Sequence, residues 1–395
     1  MNIPEIKPNI YSIGSRDPKR RYFDQLIPLP EGTSYNSYLI KGSEKTALID
    51  TVYPPKEQEL VEKLKALNVQ KLDYIIANHG EQDHTGSISA LLNLYPEAKV
   101  VTNDKCKEII IDLYHICEDK FIVVKDNDTL SLGDKTLQFM LAPWVHWPDT
   151  MFTYAKEDNI LFTCDFLGSH MSEYDLYVED EKAIYTAAKR YYAEIMMPFA
   201  KIFRKYIDRI EELNPEIIAT SHGPVYSNPK FILDAYKDWS SDKPKNEVVV
   251  IRISMYGSTD KMINYVIEKL EKQGVKVLCH DALNADIGEL AMDLVNAAGI
   301  IVAAPMVLSG PHPNVVALLY LANVLKPPKL KYLSVLGSYG WGGMMVQQIQ
   351  NLTSNLRNVE LIEPVLVKGH PKPEDYARLD NLAQEILNKQ ASFSN

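Results

Sequence analysis

At 395 residues the chain is too long for one ordinary core, and two domains are expected. Its net charge of −10 and pI near 5.5 argue against nucleic acid or an anionic membrane as a main partner. Four cysteines (Cys106, Cys117, Cys164 and Cys279) without a Cys-x-x-Cys spacing encode neither a rubredoxin-type iron site nor a disulfide framework, which fits a reducing cytoplasm.

The start, Met1–Asn9, is polar with two prolines and has no signal-like core. Pro55–Leu67 reads as a helix, and the apolar run Leu72–Ala77 as a buried strand. Residues 78–86 then read Asn-His-Gly-Glu-Gln-Asp-His-Thr-Gly, so His79, Glu81, Asp83 and His84 leave one rigidly supported turn. Two imidazoles and two carboxylates so close together need a counter-charge, which a metal supplies. The bland alternative is a solvated polar turn.

The pattern of strand followed by ligand-type residue recurs. The run Thr136–Leu141 precedes His146 in Ala-Pro-Trp-Val-His-Trp-Pro-Asp, Ile160–Cys164 ends against Asp165, and Glu216–Ala219 leads to His222 in Thr-Ser-His-Gly-Pro. A single histidine after a strand is more often a hydrogen-bonded surface group. Four such positions converging on one sheet edge make a metal site. Between them lies a long helical stretch, Lys182–Leu213. Trp147 is expected as a pocket wall. The segment Phe166–Asp180, with His170, Tyr174 and Tyr177, is a candidate pocket lining and proton source, although His170 reads more readily as a solvent-exposed loop histidine. Strand alternation turns Cys164 away from Asp165, into plain packing.

This layout resembles the metallo-β-lactamase fold family, whose signature is His-x-His-x-Asp-His followed by later His, Asp and His ligands. The match covers roughly residues 1–240. Glu81 stands where the zinc hydrolases of that family carry histidine, and a carboxylate there adds hard oxygen and negative charge, shifting the preference from zinc toward iron. With two oxygens, Asp165 is the natural bridge between two metals.

Residues 239–247, Trp-Ser-Ser-Asp-Lys-Pro-Lys-Asn-Glu, read as a polar linker, giving domains at 1–242 and 247–395. Beyond it the rhythm becomes regular βα units. Strands are expected at Val248–Ser254, Val275–His280, Ile300–Ala304, Leu330–Leu336 and Val359–Val367. Helices are expected near Lys261–Gln273, Ile287–Ala298, Asn314–Leu325, Gly343–Leu356 and Glu374–Lys389. Five alternating pairs make a doubly wound, five-stranded parallel sheet. The longest apolar stretch, Ala297–Leu308, is interrupted by Gly and Pro and too short to span a bilayer.

The first strand of this domain runs into Ser254, Met255, Tyr256, Gly257, Ser258 and Thr259. Hydroxyls, a flexible glycine and free backbone N–H groups at a helix start form a cradle for a phosphate monoester. Strand three ends in Pro305, Met306, Val307, Leu308, Ser309 and Gly310; strand four ends in Gly337, Ser338, Tyr339, Gly340, Trp341, Gly342 and Gly343. With a strand order of 2-1-3-4-5, all three loops meet at the switch point where doubly wound sheets bind ligands. Tyr339 and Trp341 offer flat faces for a planar ring. The combination resembles flavodoxin, and the implied ligand is FMN.

A metallo-β-lactamase-like αββα sandwich carrying His-x-Glu-x-Asp-His, followed by a flavodoxin-like domain, resembles the flavodiiron proteins. The resemblance implies a non-haem di-iron site that reduces dioxygen to water, nitric oxide to nitrous oxide, or both, with electrons relayed through FMN. It places one iron on His79, Glu81 and His146 and the other on Asp83, His84 and His222, bridged by Asp165; His84 does not always coordinate in this family. It further implies a cytoplasmic head-to-tail homodimer, or a dimer of dimers, in which one subunit's FMN faces its partner's irons, and a separate electron donor such as rubredoxin. Two rival readings are a zinc-dependent hydrolase with an accessory flavodoxin domain, which Glu81 opposes, and a flavodoxin-type carrier with a decayed metal domain, which the full ligand set opposes. His115, His280, His312 and His370 have no partner motif and read as structural or surface groups.

Overall fold

The protein, described over residues 3–393 by a computed structural model, divides into two compact units between Lys237 and Asp238. In the first, strands β1 (Glu5–Lys7), β2 (Ile10–Ser12), β3 (Tyr38–Lys41), β4 (Thr46–Ile49), β5 (Tyr74–Ile76), β6 (Lys99–Thr102) and β7 (Phe121–Val123) form one sheet in that order. Pairing is antiparallel from β1 to β4 and parallel from β4 to β7. A second sheet follows, again in chain order: β8 (Thr129–Ser131), β9 (Thr136–Leu141), β10 (Met151–Ala155), β11 (Ile160–Cys164) and β12 (Ile217–Thr220).

Alternation along the strands explains the layering. Leu39, Leu48, Ile75 and Val100 pack on helices α1 (Glu57–Ala66) and α2 (Asp104–Tyr114) through Leu60, Leu64 and Ile110. Their neighbours Ile40, Ile49, Ile76 and Val101 face the other way and meet Leu137, Phe139, Ile160, Phe162 and Ile217 of the second sheet. On that sheet's far side Phe152 stacks on Phe166 and meets Tyr206, while Phe166 meets Phe203. The result is an αββα sandwich.

The helix expected over 182–213 is interrupted. Helices α3 (Glu181–Tyr191) and α4 (Ala200–Leu213) flank a π turn at Tyr192–Met196 and a 3-10 turn at Met197–Phe199. Pro198 explains the break, because it has no N–H to donate into a continuous helix. The expected linker is also shorter at its start: helix α5 (Pro229–Trp239) runs into it, and Trp239 is fully buried.

The second unit alternates β13 (Glu247–Arg252), α6 (Ser258–Lys272), β14 (Lys276–Asp281), α7 (Ile287–Leu294), β15 (Gly299–Val307), α8 (Pro313–Leu325), β16 (Tyr332–Tyr339), α9 (Met345–Leu352), β17 (Val365–Lys368) and α10 (Pro373–Phe393). The strands run parallel in the order β14-β13-β15-β16-β17, the expected 2-1-3-4-5 arrangement of a flavodoxin-like sheet. The run expected as one fifth strand is split: Glu360–Leu361 and β17 pair separately with β16, and Pro364 lies between them. Val248 and Val250 of β13 pack with Met262, Val266 and Leu270 of α6 and with Leu379, Leu382 and Ile386 of α10. Among the described residues no helix is long and apolar enough to cross a membrane.

Candidate metal centre and phosphate cradle

Four connections at strand ends carry the seven candidate ligands. His79 and Glu81 follow β5, and Asp83 and His84 sit in the short helix Gln82–Thr85 just beyond. His146 lies between β9 and β10, Asp165 follows β11, and His222 follows β12. The structure brings their ligand atoms into two groups, and Asp165 touches both.

In the first group, His79 Nε2 lies 3.3 Å from Glu81 Oε2 and 3.8 Å from Asp165 Oδ2. His146 Nε2 lies 3.7 Å and 3.4 Å from the same two oxygens. In the second, His84 Nε2 is 3.3 Å from Asp83 Oδ1 and 3.1 Å from Asp165 Oδ1. His222 Nε2 is 3.2 Å from both Asp83 Oδ2 and Asp165 Oδ1. The two oxygens of Asp165 therefore face different sets of donors.

This arrangement fits a pair of cations. Both oxygens of Asp83, both ring nitrogens of His84 and Asp165 Oδ2 are buried yet complete no hydrogen bond. Each such atom costs roughly 1–3 kcal/mol if left unsatisfied, and more when charged. Burial alone would lower the imidazole pKa values, yet Asp149 and Glu81 hold that of His79 well above its ordinary value. Against the same effect, Asp165 and Asp83 raise His84 to about 9 and His222 to about 10. Burial would raise Asp83, but His84 and His222 hold it down to about 2. The pocket is built to surround positive charge.

An outer ring of contacts aims these groups. Asp149 Oδ2 accepts from Gly80 N at 2.6 Å and pairs with His79 Nδ1 at 3.0 Å, which turns His79 Nε2 inward. His222 Nδ1 donates to the Ser34 carbonyl at 2.5 Å, and the Tyr191 hydroxyl donates to Asp165 Oδ1 at 3.0 Å. Asp50 accepts from Asn78 N at 2.8 Å and from Asn78 Nδ2 at 3.0 Å, fixing the residue before His79. Gly223, at φ +84°, passes so close to Ser169 that a Cβ would lie 2.1 Å from its Oγ. Sequence reasoning missed Asp50, Asp149 and Tyr191. Asp50 had a signal, since Ile-Asp-Thr after β4 repeats the strand-then-acid pattern; Tyr191, inside a helix, had none.

Several expectations are corrected. His170 is buried, not solvent-exposed: its Nδ1 lies 2.9 Å from Thr33 Oγ1, and its ring packs on Phe23, Tyr191 and His222. Cys164 does not turn away from Asp165. A positive φ of 51° and a register shift after Phe162 bring its sulfur within 4.8 Å of ligand atoms of His84 and Asp165. The Tyr177 hydroxyl binds the Ile6 carbonyl at 3.0 Å, and Tyr174 bonds to Asn36 and lies under Arg16. Trp147 borders the ligand cluster, edge-on to His79, and helps line a cavity of about 420 Å³ with Arg20, Tyr53, Glu81 and Asp83.

In the second unit, the turn after β13 has Gly257 at φ +80°, with nothing within 4 Å of where a Cβ would stand. Ser254 Oγ accepts from Gly257 N at 3.1 Å, and Thr259 Oγ1 lies 3.3 Å from Ser338 Oγ. The other two loops are shorter than expected. Pro305, Met306 and Val307 belong to β15, which folds back through Leu308 and Ser309 (φ 51° and 62°) so that Gly310 and Pro311 pair with its end. Likewise Gly337, Ser338 and Tyr339 belong to β16. Gly340 and Gly342 border open space, Gly343 is packed against Met306 and Ser309, and Tyr256 and Trp341 are 83% and 70% exposed. Exposed flat side chains beside an open glycine turn fit a planar, phosphate-bearing ligand such as FMN.

The model of a family described as "ODP family beta lactamase" matches residues 33–223, a span containing all seven candidate ligands. A nitric oxide reductase of Moorella thermoacetica is 35% identical, the match covering 96% of this chain and 97% of that protein. The flavo-diiron protein FprA2 of Clostridium acetobutylicum is 33% identical over 90% of this chain and 91% of its own. Among solved structures, rubredoxin oxygen:oxidoreductase from Desulfovibrio gigas superposes with a TM-score of 0.94 at 27% identity, covering 99% of each chain.

Proposed function

This chain belongs to the flavodiiron protein family of oxidoreductases, and on that premise we propose that it reduces dioxygen to water, nitric oxide to nitrous oxide, or both. In this reading His79, Glu81 and His146 would hold one iron, Asp83, His84 and His222 would hold the other, and Asp165, which touches both groups, would serve both. The first compact unit, expected at 1–242, is the metal domain in this reading and the second, expected at 247–395, the FMN domain; the contacts divide them at Lys237 and Asp238. The observation that carries it is the division of Asp165: Oδ2 faces His79 and His146, while Oδ1 faces His84 and His222. Electrons come from a separate donor such as rubredoxin, which the name of the Desulfovibrio gigas protein contains, and the working assembly is a head-to-tail homodimer or a dimer of such dimers.

Bound at these positions, a pair of redox-active irons would supply one-electron chemistry toward a diatomic gas, and FMN in the second unit would supply a store of further electrons. The chain's own residues set the conditions. Asp149 and the Ser34 carbonyl hold His79 and His222 with Nε2 turned inward. Tyr191 donates a hydrogen bond to Oδ1 of Asp165, the carboxylate shared by the two groups. Phe23, Tyr53 and Trp147 give one side of the cavity an apolar wall, while Arg20, Asp24, Glu81 and Asp83 line the rest, so a small gas reaches the donor groups through a mixed polar and apolar cleft. On the flavin side, the 254–259 turn offers hydroxyls and N–H groups to a phosphate, and Trp341 a face to the ring system.

Glu81 weighs against a zinc hydrolase, because an oxygen ligand replaces an imidazole in one donor group. The test is to reconstitute the protein anaerobically with ferrous iron and FMN, count both, reduce it, and mix it separately with dioxygen and nitric oxide by stopped flow. Two irons and one FMN per chain, with fast reoxidation by at least one gas, is the expected result. Active protein holding zinc without iron would overturn it.

A further inference from the structure

We propose that His370 is a phosphate-binding residue of the flavin site, adding an imidazole donor to a cradle whose 254–259 turn offers only hydroxyls and backbone amides. This rests on the reading of that unit as an FMN domain. A phosphate monoester carries about −1.5 to −2 charges near neutral pH, and this chain already has a net charge of −10. Residues 254–260, Ser-Met-Tyr-Gly-Ser-Thr-Asp, supply hydroxyls, backbone amides and one acid, but no lysine or arginine. A helix N-terminus and hydroxyls hold an anion, yet a nearby cation or imidazole strengthens the hold.

That group arrives from the far side of the sheet. Strand β17 ends at Lys368, and Gly369, at φ +72° with open space where a Cβ would stand, turns the chain. His370 follows, and its Nδ1 lies 3.1 Å from Ser258 Oγ, a contact between residues 112 apart in sequence. Ser258 is the first residue of α6, and its neighbour Thr259 meets Ser338 from β16. The ends of strands one, four and five therefore converge on one helical turn. Among the described residues His370 is the only basic side chain in hydrogen-bond contact with the hydroxyls of this turn, and its Nε2 makes no hydrogen bond. The imidazole is held by one nitrogen beside the anion-binding turn and has the other to give.

The experiment compares FMN with riboflavin, which has the same ring and no phosphate. Full-length protein, stripped of flavin but with its iron retained, is titrated with each by fluorescence quenching. His370→Ala is expected to weaken FMN binding about tenfold while riboflavin binding stays the same, the size of one lost charge-assisted hydrogen bond. Thermal melting and iron content should match wild type. Unchanged FMN affinity overturns the assignment, and so does an equal loss for both ligands, which would mark a packing role. Wild-type protein that binds neither flavin overturns the FMN reading itself, a result distinguishable from failure of His370 alone.

Discussion

Replacing Asp149 with alanine tests whether the metal pocket is aimed from outside its own ligands. Asp149 is 1% exposed, and one of its oxygens, Oδ2, serves two donors, Gly80 N at 2.6 Å and His79 Nδ1 at 3.0 Å. Alanine leaves both donors buried and unmet, at roughly 1–3 kcal/mol each, so folding should weaken by roughly 2–6 kcal/mol. His79 also loses the partner that fixes its ring, which ordinarily lowers metal affinity about 10- to 100-fold, equivalent to roughly 1.4–2.7 kcal/mol. The loss should be one-sided. Asp149 contacts the donor group of His79, Glu81 and His146, and not that of Asp83, His84 and His222. Anaerobically reconstituted protein would be titrated with a ferrous chelator and the remaining iron counted. One iron should leave at about 10- to 100-fold lower chelator while the second follows the wild-type curve. Wild-type release of both irons, in a variant with unchanged circular dichroism, would refute the claim that Asp149 orients His79.

Asp165→Asn should drop iron below one ion per chain and reductase activity by at least about 100-fold, with flavin stoichiometry retained; two irons and full turnover in that variant would remove Asp165 from the centre. Gly223→Ala places a Cβ 2.1 Å from Ser169 Oγ at φ +84°, so it should cost roughly 2–4 kcal/mol and lower the melting temperature by roughly 5–10 °C; melting within a degree of wild type contradicts this. Metal-free protein should lose stability toward high pH. His84 and His222 are raised to about 9 and about 10 when folded, from an ordinary value of 6.5. Their stabilising contribution is therefore complete below about pH 6.5 and disappears as pH rises through 9 to 10. Urea midpoints should fall across that window in metal-free protein and stay flatter in the iron-loaded form, where the same nitrogens hold metal instead of protons.

The candidate ligands were legible because their residue types contradict their surroundings. His79, Asp83, His84, Asp165 and His222 all follow buried apolar strands, and nothing in a strand end requires imidazole or carboxylate there. The βα rhythm beyond residue 247 was equally legible, since parallel strands buried on both faces read as unbroken apolar runs. What stayed hidden depends on contacts between distant segments. Asp149 reads as part of a turn, Trp-Pro-Asp-Thr, and gains its role only when β9–β10 meets the loop after β5, 70 residues away. His170 looked like a loop histidine because its burial comes from Phe23 and Tyr191, neither adjacent in sequence. Cys164 escaped because period-two alternation holds only while the strand is regular, and the strand is irregular there.

The ligand set also explains why this scaffold suits electron transfer better than hydrolysis. Its donors come from both sheets: His79 to His84 follow a strand of the first, and His146, Asp165 and His222 follow strands of the second. Ions bound there would tie the two layers at one edge, above the apolar layer in which Ile49 and Ile76 meet Phe139 and Phe162. Within that frame the charge count matters. Glu81, Asp83 and Asp165 place three negative charges in the two donor groups; opposed to two divalent ions they leave the centre near one positive charge. With histidine in place of Glu81 it would be near two. Oxidising a bound ion adds positive charge, and in a buried, low-dielectric pocket each further carboxylate offsets more of that cost than it would in water. In the proposed di-iron reading Glu81 would thus bias the same seven positions toward an ion that gains and loses electrons, whereas an imidazole there would favour one of fixed charge.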